Sequence, residues 1–248
     1  MSDQHTTPGA TTAWITTATA DGPMRVFVAR PDRPADRAVI VLQEAFGVND
    51  HVQDIARRYA ARGFLALAPD LFHRNGVGTL AYEQHAEAMP LIGAIGPDAI
   101  VTDVEAVLAH LTEREDVPAA RTAVNGFCFG GRAAFTAATG IGGLGAVVVF
   151  YGPGIAAGPH AVVDRAKNID APVLLHVGSQ DPTIPADQVA AIEGALTAAG
   201  TDFESHVYKG AGHAFACDAR PRLYAEDSAR IAWRRTHAFL DKHLPQAA

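Results

Sequence analysis

Arg121-Thr-Ala-Val-Asn-Gly-Phe-Cys-Phe-Gly-Gly-Arg-Ala-Ala-Phe-Thr-Ala-Ala-Thr139 carries a short apolar run into Gly126-Phe127-Cys128-Phe129-Gly130-Gly131 and out into an Ala-rich segment. The pattern predicts a strand, a sharp turn and a helix. Glycines two before and two after Cys128 let the backbone turn tightly enough to push that one side chain out at the C-terminal edge of a sheet. The helix that follows directs its N-terminal dipole at the sulfur, where a thiolate would be stabilised. Free cysteine is also among the most buried residue types, and a small apolar core role fits the same hexapeptide. The choice between the two depends on whether the chain supplies a base, an orienting acid and an oxyanion hole.

Composition narrows the field. The 248 residues are 48% hydrophobic and 19% charged, as in a globular chain with a sizeable core. No linker interrupts them, so we expect one domain over residues 14–248 behind a loosely ordered segment, 1–13. The formal charge of -7 comes without a basic cluster, which argues against nucleic acid or an anionic membrane as partner. Two cysteines, Cys128 and Cys217, form no CxxC pair or bridge framework, which suits a reducing compartment, and the N-terminus lacks the basic and apolar regions of a leader. A cytoplasmic protein is expected, acting on a small molecule as a monomer or weak homo-oligomer.

Strand and helix signals alternate along the chain. Trp14–Thr19 and Met24–Ala29 flank Asp21-Gly22-Pro23 and predict a β-hairpin. Ala38–Leu42, Phe64–Ala68, Ala146–Tyr151 and Pro172–Val177 are continuous apolar runs, as expected of strands buried on both faces. Phe203–Tyr208 predicts the last strand. Helices are expected from Asn49 or Asp50 to Gly63, and over Thr79–Met89, Asp98–Leu111, Pro185–Ala199 and Arg222–Leu244. This is an α/β chain with a mostly parallel sheet and helices on both faces.

The remaining site residues fall at strand ends. Asp181 follows the strand after the elbow's next one, and His213 follows the last strand. The order nucleophile, acid, histidine is that of α/β-hydrolases, where glycines flank the nucleophile in the same way. Cys128 would attack a carbonyl carbon, His213 would take and return the proton, and Asp181 would fix the imidazole tautomer. Glu44, directly after an early central strand, is expected beside the elbow. The backbone N–H groups of Ala45 and Phe129 are expected to form the oxyanion hole, because those two loops supply it in this fold. Gly140–Gly145 matches GxGxxG but follows a helix and precedes a strand, the reverse of a dinucleotide fingerprint, so no such cofactor is expected. The eleven histidines form no HExxH or Cys/His spacing suited to zinc, and no metal is expected.

Leu42-Gln43-Glu44-Ala45-Phe46-Gly47, the cysteine elbow and Gly212-His213-Ala214-Phe215 together resemble the glutamate, cysteine and histidine motifs of the dienelactone hydrolase family (carboxymethylenebutenolidases). The likeness spans roughly residues 14–244. It implies an eight-stranded, mainly parallel sheet and hydrolysis of an enol-lactone ester through an acyl-cysteine without a cofactor, with Glu44 helping to generate the thiolate once substrate binds. The family's dienelactone-specific members hold a substrate carboxylate with two arginines. Arg74 matches the first, but Cys217 stands at the second position, four residues after His213, unless Arg220 or Arg222 reaches in. Tyr151 resembles a pocket-lining tyrosine. The leading expectation is a lactone or carboxylic-ester hydrolase with weak selectivity for carboxylated substrates. A broader esterase or thioesterase, or a non-catalytic thiol-sensing or binding protein, are the alternatives.

Overall fold

The computed structural model describes residues 10–246. One eight-stranded sheet organises them: β1 (Ala10–Thr19), β2 (Gly22–Pro31), β3 (Ala38–Leu42), β4 (Leu65–Pro69), β5 (Thr122–Phe127), β6 (Ala146–Phe150), β7 (Val173–Gly178) and β8 (Phe203–Tyr208). Their order is β1-β2-β4-β3-β5-β6-β7-β8. The β1–β2 and β2–β4 pairs are antiparallel and the rest parallel. The helices are α1 (Asp50–Ala60), α2 (His85–Ala94), α3 (Pro97–Glu115), α4 (Phe129–Gly140), α5 (Ala186–Ala199) and α6 (Glu226–His243). None among the described residues is long and apolar enough to cross a membrane.

The apolar runs behave as their composition requires. All residues of β3, β4, β5, β6 and β7 are buried, because helices cover both faces. Alternate β3 side chains serve different cores: Ile40 and Leu42 pack with Val104 and Val107 of α3 and Ala134 of α4, whereas Val39 and Val41 pack with Ile55 of α1 and Phe239 of α6. The connection from β3 leads to β4 on one side, and that from β5 leads to β6 on the other. The order in which strands are added therefore reverses across the parallel β3–β5 pair, and the crevice at their carboxyl ends is where an open parallel sheet binds its ligands. Glu44 follows β3 there, and Cys128 follows β5.

Several boundaries differ from the sequence reading, α3 among them, which runs on to Glu115 past the expected Leu111. The hairpin is longer than expected, with Ala10 paired to Pro31, so residues 10–13 belong to the sheet; the rest of the proposed loose segment, 1–9, lies outside the described residues. The helix expected over Thr79–Met89 forms instead at His85–Ala94, running through Pro90 and Gly93. Backbone bonds hold its intended first turn elsewhere: Leu80 N–H donates to the Phe46 carbonyl, and Ala81 N–H to the Gln84 side chain. The last helix starts at Glu226 because residues 220–224 close into turns on the Arg220 carbonyl. The Asn49 cap is as expected, its side chain accepting from Val52 N–H at 3.1 Å.

Candidate active site

The elbow forms through close backbone packing. A Cβ at Gly126 would run into the Gly130 carbonyl, and one at Gly130 into the Leu42 and Gln43 carbonyls. These glycines let the start of α4 lie directly against the end of β3, which brings Glu44 toward the nucleophile's turn. Cys128 sits at φ 56° and ψ −118°, a sparsely populated conformation for a residue with a Cβ, and its N–H donates to the Phe150 carbonyl at 3.0 Å. Strain of this kind persists only where the surroundings over-determine it. Cys128 is half-buried, at the N-cap of twelve-residue α4.

The expected trio meets in one chain of hydrogen bonds. His213 Nε2 lies 3.1 Å from Cys128 Sγ, and His213 Nδ1 lies 2.8 Å from Asp181 Oδ2. Burial disfavours the imidazolium, but the bonds to Asp181 and Cys128 outweigh it and push His213 up to about 10. Burial also works against the Asp181 carboxylate, and its bond to His213 reverses the outcome, lowering its pKa. Asp181 Oδ1 is held by Thr183, through the backbone N–H at 2.9 Å and the hydroxyl at 2.6 Å. The same hydroxyl lies 3.1 Å from His213 Nδ1. Thr183 was missed in the sequence, although Asp-x-Thr at a strand end is the pattern of a side-chain turn.

Phe129 opens α4, so its N–H is a first-turn donor without an intrahelical partner, and Ala45 lies just past the end of the β3 ladder at Leu42. Phe129 directly follows Cys128, and Gly130 lies against the Leu42 and Gln43 carbonyls that lead to Ala45. Tyr151 is fully buried at φ 38°, its ring edge-on to His213 with centroids 5.3 Å apart, and its hydroxyl has no partner among the described residues. Glu44 is also buried. Its Oε2 accepts from Cys217 Sγ at 3.8 Å, and its Oε1 has no partner among the described residues. Cys217 is buried rather than turned to the surface. Burial and the Glu44 carboxylate push its thiol up to about 12, so it serves as a neutral donor. Tyr82 OH completes the cluster, 3.6 Å from Cys217 Sγ.

Arg74 does not join this cluster. Its three guanidinium nitrogens hold Asp21 Oδ2 at 2.7 Å and the two oxygens of buried Asp103 on α3 at 2.7 and 2.9 Å. Such a bidentate pair with a buried carboxylate is a structural fixture, and the expectation that Arg74 clamps a substrate is corrected accordingly. Arg220 is better placed. Its guanidinium lies over the rings of Tyr82 and Phe46, 4.9 and 5.5 Å from their centroids, and it holds no carboxylate among the described residues. A surface cleft of about 640 Å³, lined by Tyr82, Arg220, Arg222 and Leu223, opens there.

The sequence profile of the dienelactone hydrolase family matches residues 24–244. A protein of Salmonella typhimurium, provisionally assigned as a carboxymethylenebutenolidase, is 38% identical over 239 residues, covering 93% of this chain and 87% of its own. One from Yersinia pestis with the same assignment is 36% identical, covering 88% and 83%. Among solved structures, one described as a dienelactone hydrolase of the same provisional standing, from Klebsiella pneumoniae, superposes with a TM-score of 0.84 at 32% identity, covering 94% of this chain and 99% of that one.

Proposed function

The chain belongs to the dienelactone hydrolase family and is a carboxylic-ester hydrolase, and on that premise we propose that it opens a small lactone or ester through an acyl-cysteine formed on Cys128. The observation that carries the reading is the continuous Cys128–His213–Asp181 bond chain, at 3.1 and 2.8 Å, on a strained elbow. Cys128 Sγ attacks the carbonyl carbon, and the developing oxyanion takes the N–H groups of Ala45 and Phe129. His213 holds the thiol proton and returns it to the leaving oxygen, then draws a proton from the water that cleaves the thioester. Asp181, fixed by Thr183, keeps Nδ1 protonated and Nε2 facing the sulfur. No residue in this sequence of steps requires a cofactor.

Glu44 is proposed to help generate the Cys128 thiolate when substrate arrives, favouring passage of the thiol proton to His213. A buried carboxyl with one unpartnered oxygen and only a thiol donor on the other is free to do so. Glu44→Gln is expected to slow acylation by ~10²-fold, a general-base magnitude. Burst kinetics on an activated ester would measure this, with the unfolding temperature nearly unchanged. A large stability loss at unchanged rate would assign Glu44 to the core instead.

Arg74 is committed to Asp103 and a thiol stands at position 217, but Arg220 lies beside the cluster over Tyr82 and pairs with no carboxylate among the described residues. One charge-assisted bond contributes about 1.5–3 kcal/mol, so Arg220→Gln should raise KM for a carboxylated lactone by roughly ten- to a hundredfold. KM for a neutral ester of similar size should barely move. Equal changes for the two substrates would take Arg220 out of recognition.

A further inference from the structure

Glu44, His51 and Cys217 come from three separate elements: the end of β3, the first turn of α1 and the loop after β8. A carboxylate oxygen, an imidazole nitrogen and Sγ from these residues lie within 4.8 Å of one another, all three side chains being buried. Their hydrogen bonding is incomplete in a particular way. His51 Nδ1 is 3.2 Å from Asp218 Oδ1, which fixes Nδ1 as the protonated nitrogen, and Nε2 is buried without a partner. Glu44 Oε1 is likewise buried without a partner. Unsatisfied buried acceptors are costly, and here two of them stand in one cluster with a thiol. A histidine whose second nitrogen is held by a carboxylate is the arrangement by which proteins orient imidazole toward a metal.

We propose that Glu44, His51 and Cys217 form a site for a divalent transition-metal ion, Zn2+ by its mixed O, N and S donors, whose occupancy silences the hydrolase. A tetrahedron drawn with Zn–S of ~2.3 Å and Zn–N and Zn–O of ~2.1 Å has edges of roughly 3.4–3.6 Å. Cys217 Sγ and Glu44 Oε2, at 3.8 Å, already stand near such an edge. Binding breaks the Cys217 S–H bond and forms S–Zn, the proton leaving to solvent. The thiolate and the Glu44 carboxylate then balance the ion's two positive charges, with neutral His51 as third ligand and a fourth position left open. The silencing rests on the proposed role of Glu44, whose carboxylate would be withdrawn from Cys128; the binding does not.

Cobalt reports the site directly, because a Co2+–thiolate bond adds a charge-transfer absorption that O and N ligands do not give. Cys128→Ala leaves Cys217 as the protein's one thiol. We expect that variant to bind one equivalent of Co2+ with this absorption, and Zn2+ to displace it. The absorption should be lost on adding Cys217→Ser and weakened at least tenfold in apparent affinity by His51→Gln. In the otherwise unaltered enzyme Zn2+ should inhibit hydrolysis reversibly by chelator, and His51→Gln should raise the half-inhibiting concentration at least tenfold. No charge-transfer absorption in folded Cys128→Ala overturns the site, whatever the other variants do. Absorption without inhibition overturns the silencing alone, and equal inhibition of His51→Gln places the inhibitory ion at Cys128 and His213 instead.

Discussion

Replacing Cys128 with serine is expected to leave the fold intact and to lower kcat/KM on esters by ~10³-fold or more, with Cys128→Ala at or below that level. The elbow imposes φ 56° on whatever residue stands there, and serine, smaller than cysteine, meets no new contact. Thermal unfolding and circular dichroism should therefore hardly change. Chemistry is another matter. The hydroxyl is a far weaker acid than a thiol, and its shorter C–O bond draws the nucleophile back from His213 Nε2, now 3.1 Å from Sγ. A serine hydrolase offsets this with an imidazole poised as general base. Here the histidine is held strongly basic by Asp181 and the sulfur, so the ring is charged over the pH range in which a serine's general base must be neutral. Near-full activity in the serine variant would sink the acyl-cysteine reading.

How much of this was legible in the sequence depends on how locally each feature is determined. Cys128 was readable because the glycines on either side admit one backbone path: a side chain at 126 or 130 collides with a carbonyl. Asp181 and His213 were readable because the order of strands fixes which loops converge at the switch point between β3 and β5. Arg74 was not, since its fate is settled by Asp103, 29 residues away on α3, and by Asp21 in the hairpin turn. The register of tertiary ion pairs leaves no local trace. The Thr79–Met89 helix failed for a similar reason, a backbone bond from Leu80 to the Phe46 loop overriding the local helical pattern. Glu44, His51 and Cys217 show none of the spacing by which metal ligands announce themselves, because three different elements deliver them. Motifs in this chain encode positions along strands, whereas partners across the crevice are set by packing.

Asp181→Asn is expected to lower kcat by ~10³- to 10⁴-fold, the loss known from acids that set a histidine's tautomer. Asp181 accepts on both oxygens: Oδ2 from His213 Nδ1, Oδ1 from the backbone and hydroxyl of Thr183. An asparagine has only one acceptor oxygen. If it keeps the oxygen toward His213, its amide group faces the Thr183 N–H, donor against donor. If it turns the amide toward His213, Nδ1 must accept and Nε2 carries the proton, so the ring can no longer take one from Cys128. Either way the bond that most raises the His213 pKa against burial is weakened or reversed. In the native enzyme that pKa stands at about 10 against an ordinary 6.5, so the charged ring's contribution to stability is fully present below pH 6.5 and is lost as pH rises through about 10. The alkaline limb of kcat/KM should fall near the same value, where the imidazolium disappears. In Asp181→Asn the residual activity should lose that limb to lower pH, toward 6.5, and the gap in unfolding temperature between the two proteins should narrow as pH rises through 10. An alkaline limb that stays near 10 in the variant would mean that Asp181 does not govern the charge of His213.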